Sequence, residues 1–431
     1  MKIPRAYYYM NFFEPLKTCL RLVSLQHKRF SKVQEFEERY KEVFGNRYIS
    51  LVSHARTGFY FCLKSLGLEE GDEILMTPIN IPDMLNMARI CGLKECLVDL
   101  KKETYSIDLA DAQKKLSPKT RILFLTHLNG IVPNMDDIVH FCKENDLILI
   151  QDCTQIVNAK YKGRNLEEYS DYTISSLCDL KVIHTHIGGV ITYSSSALKE
   201  KVDQIIEREC STMSASYFFR FLVEDMVAVI LLNRVFFTFF IHPTLSMVTK
   251  LIGIDGVENF TKGKGLKIGP FYLFKGLFGG GGNVLKKSVP KGMLFSFSNL
   301  QASIGLKRLS LFKDLERRRI RNSKILYKSL AKHQSSLPSL NSSGSCVFWK
   351  FPFLTEHLEE LQRYLSQRGV DSARSNLKCF NEIKEFHIKD TTPVASELSR
   401  NTLYIPAHPY LEEKDMLRIS KYINDFFRNN S

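Results

Sequence analysis

An alternating α/β protein is what this chain predicts, with a large domain on a doubly wound, mostly parallel sheet and a smaller α+β domain at the C-terminal end. Two observations carry the first part. Leu147-Ile-Leu-Ile150 is a short, continuous apolar run of the kind shown by a parallel strand buried on both faces, and it ends in the polar sequence Gln151-Asp152-Cys153-Thr154-Gln155. Further on, Lys181 lies between two β-prone segments, with Asp171 ten residues before it and Gly188-Gly189 seven and eight after it. The length of 431 residues is enough for a large domain and a smaller one.

In chain order, residues 1–45 read as a helical arm outside the main sheet. Residues 46–212 alternate strands with helices and form the large domain. Residues 213–292 are an insertion that opens on an apolar stretch, 217–241, broken by Arg220, Glu224, Asp225 and Arg234. A spanning helix wants about twenty largely uncharged residues, so a transmembrane segment is rejected. On a helical wheel Arg220, Glu224, Arg234 and Thr238 share one narrow stripe and leave a wide apolar face. Burial of that face against the protein's own body or a dimer partner is the expectation, and insertion into a membrane interface is the alternative. Lys262-Gly-Lys-Gly265 and Gly279-Gly-Gly-Gly282 follow; lacking a Gly-Lys-Ser/Thr ending and a preceding strand, the glycine run reads as a flexible loop able to cover an active site. Residues 293–431 end on a helix over 412–428.

Composition, at 44% hydrophobic and 25% charged, is that of ordinary globular material. Ten cysteines stand at irregular positions without CxxC or zinc-ligand spacing, which fits a reducing cytoplasm better than a disulfide scaffold. No apolar run follows the first seven residues, so no signal peptide is expected. The net charge of +14 asks for an anionic small substrate, an anionic membrane surface or nucleic acid. Nucleic acid is set aside, because the basic residues are dispersed and carry no binding motif. Their densest cluster, Glu316-Arg-Arg-Arg-Ile-Arg321, falls on a helical stretch and reads as a solvated face.

Lysine forms Schiff bases with carbonyl cofactors, and does so near neutral pH when its surroundings lower its pKa. That makes Lys181, with polar residues clustered before it, the first candidate for covalent chemistry over the bland reading of a solvated lysine. Asp152 stands at a strand's carboxyl end, where open α/β sheets bind ligands, although an isolated Asp there more often caps a helix. His184 and His186 are two apart with no acidic or cysteine ligand near in sequence, and no metal site is expected.

Further motifs stand in a fixed order around these residues: residues 53–74, Thr77-Pro-Ile-Asn80, Leu97-Val-Asp99, Thr126-His-Leu-Asn-Gly130 with Asn134-Met-Asp136, Asp152-Cys-Thr-Gln155, Tyr161-Lys-Gly163 and Leu403-Tyr-Ile-Pro406-Ala-His-Pro409. Each is weak alone. Together with Ser176 and Lys181 they resemble the DegT/DnrJ/StrS-type sugar aminotransferases, pyridoxal-phosphate enzymes of fold type I. The resemblance implies pyridoxal 5'-phosphate as cofactor and Lys181 as the catalytic lysine, which carries it as a Schiff base and later moves a proton. It implies Asp152 on the ring nitrogen, Gln155 on the phenolic oxygen, and Ser176 with backbone N–H groups near Ala55 and Arg56 on the phosphate. It also implies a nucleotide-linked keto-sugar as substrate, an anion that would answer the positive charge, with glutamate as amino donor, and a homodimer, because the fold-type-I site is built at a subunit interface. In residues 293–431 it implies a connecting helix and the small C-terminal domain.

The chain departs from that pattern at four places. Ala55-Arg56 replaces the usual Gly-Thr or Gly-Ser, with a guanidinium that could still meet phosphate. Ile81 stands where an aromatic commonly stacks on the cofactor ring, His186-Ile187 replaces a Gly-Glu, and Leu294 and Ser296 stand where many members have Asn and Arg. These departures keep two alternatives open. One is a sugar dehydratase of the same family, in which the lysine is replaced by His and against which Lys181 speaks. The other is a catalytically impaired relative acting as a membrane-associated or regulatory binding protein, with peripheral contact through 217–241.

Overall fold

The computed structural model describes residues 1–9, 13–14, 17–18, 31–45, 48–248, 266–268, 271–273, 285–344, 346–375 and 377–430. The glycine run at 279–282 and Lys262-Gly-Lys-Gly265 lie outside them. Helix α1 (Ser31–Phe44) leads into strand β1 (Tyr48–Val52) and helix α2 (Ala55–Ser65). The alternation continues through β2 (Glu73–Met76), α3 (Pro82–Ile90), β3 (Lys94–Leu97), β4 (Thr120–Thr126), α4 (Met135–Glu144), β5 (Ile148–Asp152), β6 (Tyr172–Ser176), β7 (Gly189–Tyr193) and α5 (Ser196–Glu209).

These strands form one seven-stranded sheet in the order β1-β7-β6-β5-β4-β2-β3. β7 runs antiparallel to both its neighbours, while β6, β5, β4, β2 and β3 pair in parallel. The mostly parallel sheet expected from the apolar runs is therefore present, and the reason is burial on both faces. Phe124 of β4 stacks on Phe59 of α2 at 4.2 Å between ring centroids, within a core shared with α3 and α5. Its neighbours Leu123 and Leu125 face the opposite core with Ile138 and Phe141 of α4.

Helix α6 (Ala215–Leu231) precedes the long helix α7 (Asn299–Ser329), which starts on a capping box made by Ser298 and Gln301. Near its start α7 packs on α1, where a Cβ at Gly305 would lie 2.6 Å from the Phe36 ring. Its far end buries Leu326 in the C-terminal core. That core sits on the antiparallel strands β8 (Phe351–Leu354), β9 (Ala373–Arg374) and β10 (Thr402–Ile405), ordered β8-β10-β9, with helices α8 (Leu358–Gln367) and α9 (Glu413–Asn430).

Two expectations are corrected. The N-terminal arm is not helical throughout: Ile3 bridges to Val370, and Arg5 grips Asp371 through Nε and Nη2 at 2.8 and 2.5 Å, tying the first residues to the edge of the small sheet. The apolar stretch 217–241 is not one helix either. Asn233 starts a new helical segment, its Oδ1 accepting from the N–H groups of Val235 and Phe236 at 3.0 and 3.3 Å, and the segments Ser216–Leu231 and Arg234–Val248 meet at 57°. Among the described residues no single helix is long and apolar enough to cross a membrane.

Beyond the bend, Arg234 and Thr238 of the polar stripe point inward, whereas on α6 the inward acid is Asp225, which lies off that stripe among the apolar residues. Asp225 is buried, Arg234 holds Asp415 of α9 through two contacts at 2.9 and 2.6 Å, and Thr238 Oγ1 accepts from the Lys2 N–H at 3.0 Å. α6 does bury Phe218, Leu222, Ala228 and Leu232 against Tyr8, Leu300 and Ile304. Beyond the bend, Val235, Phe239, Phe240 and Met247 are exposed by 55, 67, 60 and 66%. The apolar face is thus only partly core; the side chain of Arg220 lies outside the described residues.

Candidate active site

The site lies where β5 and β6 end. Asp152 closes β5 and is buried; its Oδ2 accepts from Asn80 Nδ2 at 2.7 Å and its Oδ1 from the Thr154 N–H at 3.0 Å. Asn80 is held in turn by a 2.9 Å bond to Thr126 Oγ1. Two donors on one carboxylate orient it and leave lone pairs for a further donor. Gln155 Oε1 accepts from the Asn129 N–H at 2.9 Å, so its amide NH2 remains a donor.

Ser176 closes β6 and pairs in register with Gly189, the first residue of β7. A Cβ on Gly189 would lie 2.7 Å from Ala55 N and 2.8 Å from the His54 carbonyl carbon, so only glycine lets β7 touch the start of α2. Ser176 and the first N–H groups of α2, at Ala55 and Arg56, therefore flank the same glycine. His54 provides no side-chain cap for that helix, which leaves a helix N-terminus able to receive an anion. The Ser176 hydroxyl accepts from the Cys178 N–H at 3.3 Å and still has its own proton to donate. The Arg56 guanidinium is engaged elsewhere: Nη1 sits 2.8 Å from Asp83 Oδ2, and Lys286 holds the other oxygen. Of Arg56 it is the backbone, at the helix start, that stands at the anion position.

Lys181 sits on the loop between β6 and β7, partly buried. Its Nζ donates to the Thr154 carbonyl and lies 3.8 Å from the centroid of the Trp349 ring. Burial lowers the amine to about 7, opposed by the pull of Cys178 and Asp152 and helped by the positive charge of Lys350 and Arg319. Near neutral pH much of the amine is therefore neutral, the form that attacks a carbonyl.

Asp152, Gln155, Ser176 and Lys181 are thus served by the ends of two adjacent strands and the loop that follows. Together they offer an acceptor for a ring N–H, a donor for a phenolic oxygen, hydroxyl and amide donors for a phosphate, and a poised amine. That donor set fits pyridoxal 5'-phosphate. Asn80 and Trp349 were not expected as site residues: Asn80 lay within a recognised motif, while Trp349 carried no signal except as the chain's single tryptophan. Of the departures, Ile81 precedes Pro82 at the start of α3, Leu294 packs against the core shared by α2 and α3, and Ser296 bridges to Val52 of β1.

The expectation that no acidic group accompanies His184 and His186 is overturned. The loop folds back on itself through Asp179 N–H to His186 O at 3.1 Å and Thr185 N–H to Leu177 O at 2.8 Å. This brings donor atoms of Asp179, His184 and His186 within 4.8 Å of one another.

The sequence profile described as the DegT/DnrJ/EryC1/StrS aminotransferase family matches residues 15–225 and 278–424. The chain is 22% identical over 406 residues to a GDP-perosamine synthase of Escherichia coli O157:H7, covering 92% of this chain and 90% of that protein. Its fold is similar to that of the sugar aminotransferase CalS13 from Micromonospora echinospora, with a TM-score of 0.73 at 18% identity over 98% of this chain and 99% of that one. It is also similar, with a TM-score of 0.72 at 16% identity over 98% and 99%, to the E. coli GDP-4-keto-6-deoxy-D-mannose-3-dehydratase with bound hydrated PLP. The profile passes over residues 226–277, which include the bend and the outward aromatic rings.

Proposed function

The chain belongs to the DegT/DnrJ/EryC1/StrS aminotransferase family, and on that premise we propose that it makes an amino sugar from a nucleotide-linked keto-sugar, with glutamate as amino donor. It is a sugar aminotransferase dependent on pyridoxal 5'-phosphate. The observation that carries the site assignment is Lys181, an amine brought to about 7 on the loop that leaves Ser176. Its presence favours amine transfer over the dehydratase reading.

When bound, the cofactor supplies an electron sink for the carbanion formed at the substrate carbon. Asp152 would hold the proton on the ring nitrogen, and Asn80 with the Thr154 N–H orients that carboxylate. Gln155 donates to the phenolic oxygen, and Ser176 with the α2 N–H groups at Ala55 and Arg56 anchors the phosphate. Lys181 Nζ would hold the cofactor and would be the base that carries the proton from the substrate carbon to it. The Trp349 ring beside Nζ favours the ammonium that results by about 1 kcal/mol. Lys350, whose Nζ lies 4.5 Å from the Trp349 centroid and 5.1 Å from that of Tyr404, supplies positive charge for an anionic sugar nucleotide.

The test is spectroscopic. With pyridoxal 5'-phosphate the protein should show a visible absorbance band, borohydride should fix the cofactor on Lys181, and glutamate should bleach the band. Absence of a band, or a band that no amino donor moves, sinks the reading.

The outward rings support a second element of the proposal. The enzyme works in the cytoplasm as a homodimer that rests on an anionic lipid surface through the segment 217–248. The support is the pairing of a +14 chain with Phe239 and Phe240, 67 and 60% exposed on a segment whose polar stripe is tied to the protein body.

A further inference from the structure

The loop that carries Lys181 also carries a buried polar cluster that transamination does not use. Donor atoms of Asp179, His184 and His186 lie within 4.8 Å of one another, and both imidazoles are fully buried. Among the described residues no hydrogen bond reaches Nε2 of His186, while the Tyr9 backbone serves one ring nitrogen of His184 and leaves the other open. Asp225 of α6 meets His186 Nδ1 through Oδ2, while its Oδ1 accepts from the Tyr8 hydroxyl. The same hydroxyl lies 2.9 Å from Asp179 Oδ1.

The inventory does not close. One hydroxyl proton faces two carboxylates, and the imidazoles beside them have free nitrogens. The cation whose field reaches Tyr8, His184 and His186 is Arg308, and its guanidinium is engaged by Glu14. Two carboxylates beside buried imidazole nitrogens that no group meets are costly unless a positive charge joins them. His186 moreover keeps φ at +69°, the left-handed region that a residue with a Cβ disfavours.

We propose that Asp179, His184 and His186 bind a divalent cation of the zinc class. Two imidazoles and a carboxylate are a donor set that zinc takes, and a carboxylate behind the second nitrogen of a ligating histidine is the arrangement that fixes its tautomer and ring, the part Asp225 plays for His186. Donors around a tetrahedral zinc stand about 3.4 Å apart at bond lengths of about 2.1 Å, so the three side chains draw in by about an ångström on binding. The ion clips the lysine loop to the inserted helix through Asp225 and to the N-terminal segment through Tyr8. It is a structural site, separate from the chemistry at Lys181.

The experiment uses the full chain without a histidine tag, dialysed against zinc or cobalt, with bound metal read by mass spectrometry and cobalt geometry by its visible absorption. The expected result is about one equivalent per chain with the spectrum of a four-coordinate site. His186→Gly, which suits the left-handed backbone and so spares the fold, should lose the metal, as should His184→Gln. Asp225→Asn should weaken binding about 10- to 100-fold. No uptake by the wild-type chain overturns the proposal, because a proton then serves where the cation was placed. Equal uptake by wild type and His186→Gly overturns it as well.

Discussion

The strand-end site and the segment 215–248 both turn charged groups inward, but with opposite results at the surface. At Asp152, Gln155 and Ser176 each buried polar atom has a local partner and spare capacity for a ligand, and the surrounding apolar residues are buried with them. Along 215–248 the inward groups, Asp225, Arg234 and Thr238, act as tethers, and Phe239 and Phe240 are left outside. The difference teaches that an amphipathic wheel finds two faces without saying which is the core. A helix laid over a finished domain meets protein on one side only, and a strong ion pair can decide which side that is.

The comparison can be broken at its catalytic end first. Lys181→Met should lower amine transfer by about 10³-fold while the cofactor, still held by Asp152 and Ser176, remains bound; single-turnover measurements with glutamate check both. Substantial turnover by the variant would remove the site's central claim.

At the other end, Asp415→Asn leaves Arg234 without its buried carboxylate and should cost about 3 kcal/mol in denaturant unfolding. A cost near zero would mean that the stripe is not a tether. Phe239→Ser with Phe240→Ser should leave unfolding nearly unchanged and reduce partition onto anionic vesicles roughly 25-fold, taking about 1 kcal/mol for each ring. If the double variant instead dissociates a dimer and vesicle binding is unaffected, a second copy covers this face.

A pH dependence sets Lys181 apart from the solvated lysines. Its folded-state pKa, about 7, lies below the ordinary lysine value of 10.5. Between those values the unfolded chain binds more protons, so the cofactor-free protein gains stability as pH rises from about 7 to about 10 and shows no further change from this group below 7. Relative to Lys181→Met, the wild-type melting temperature should therefore climb across that window. A constant difference would show that the amine is not desolvated.

Much of the molecule was legible in consecutive residues. The buried run before Asp152, the glycine pair after Lys181 and the order of short motifs are local signals, because strand burial and backbone approach act on neighbouring positions, and they suffice for the mostly parallel sheet and for naming four candidate site residues. What tertiary structure alone decided depends on residues far apart in the chain. Asn80 reaches Asp152 across 72 positions, Trp349 comes to Lys181 from the C-terminal part, and Tyr8 and Asp225 close on the loop of His184 and His186 from two other segments. The inward turn of Arg234 likewise follows from Asp415, 181 positions away. No period or spacing encodes such partners, since each arises only when separately folded elements pack and a buried charge must find its counterpart.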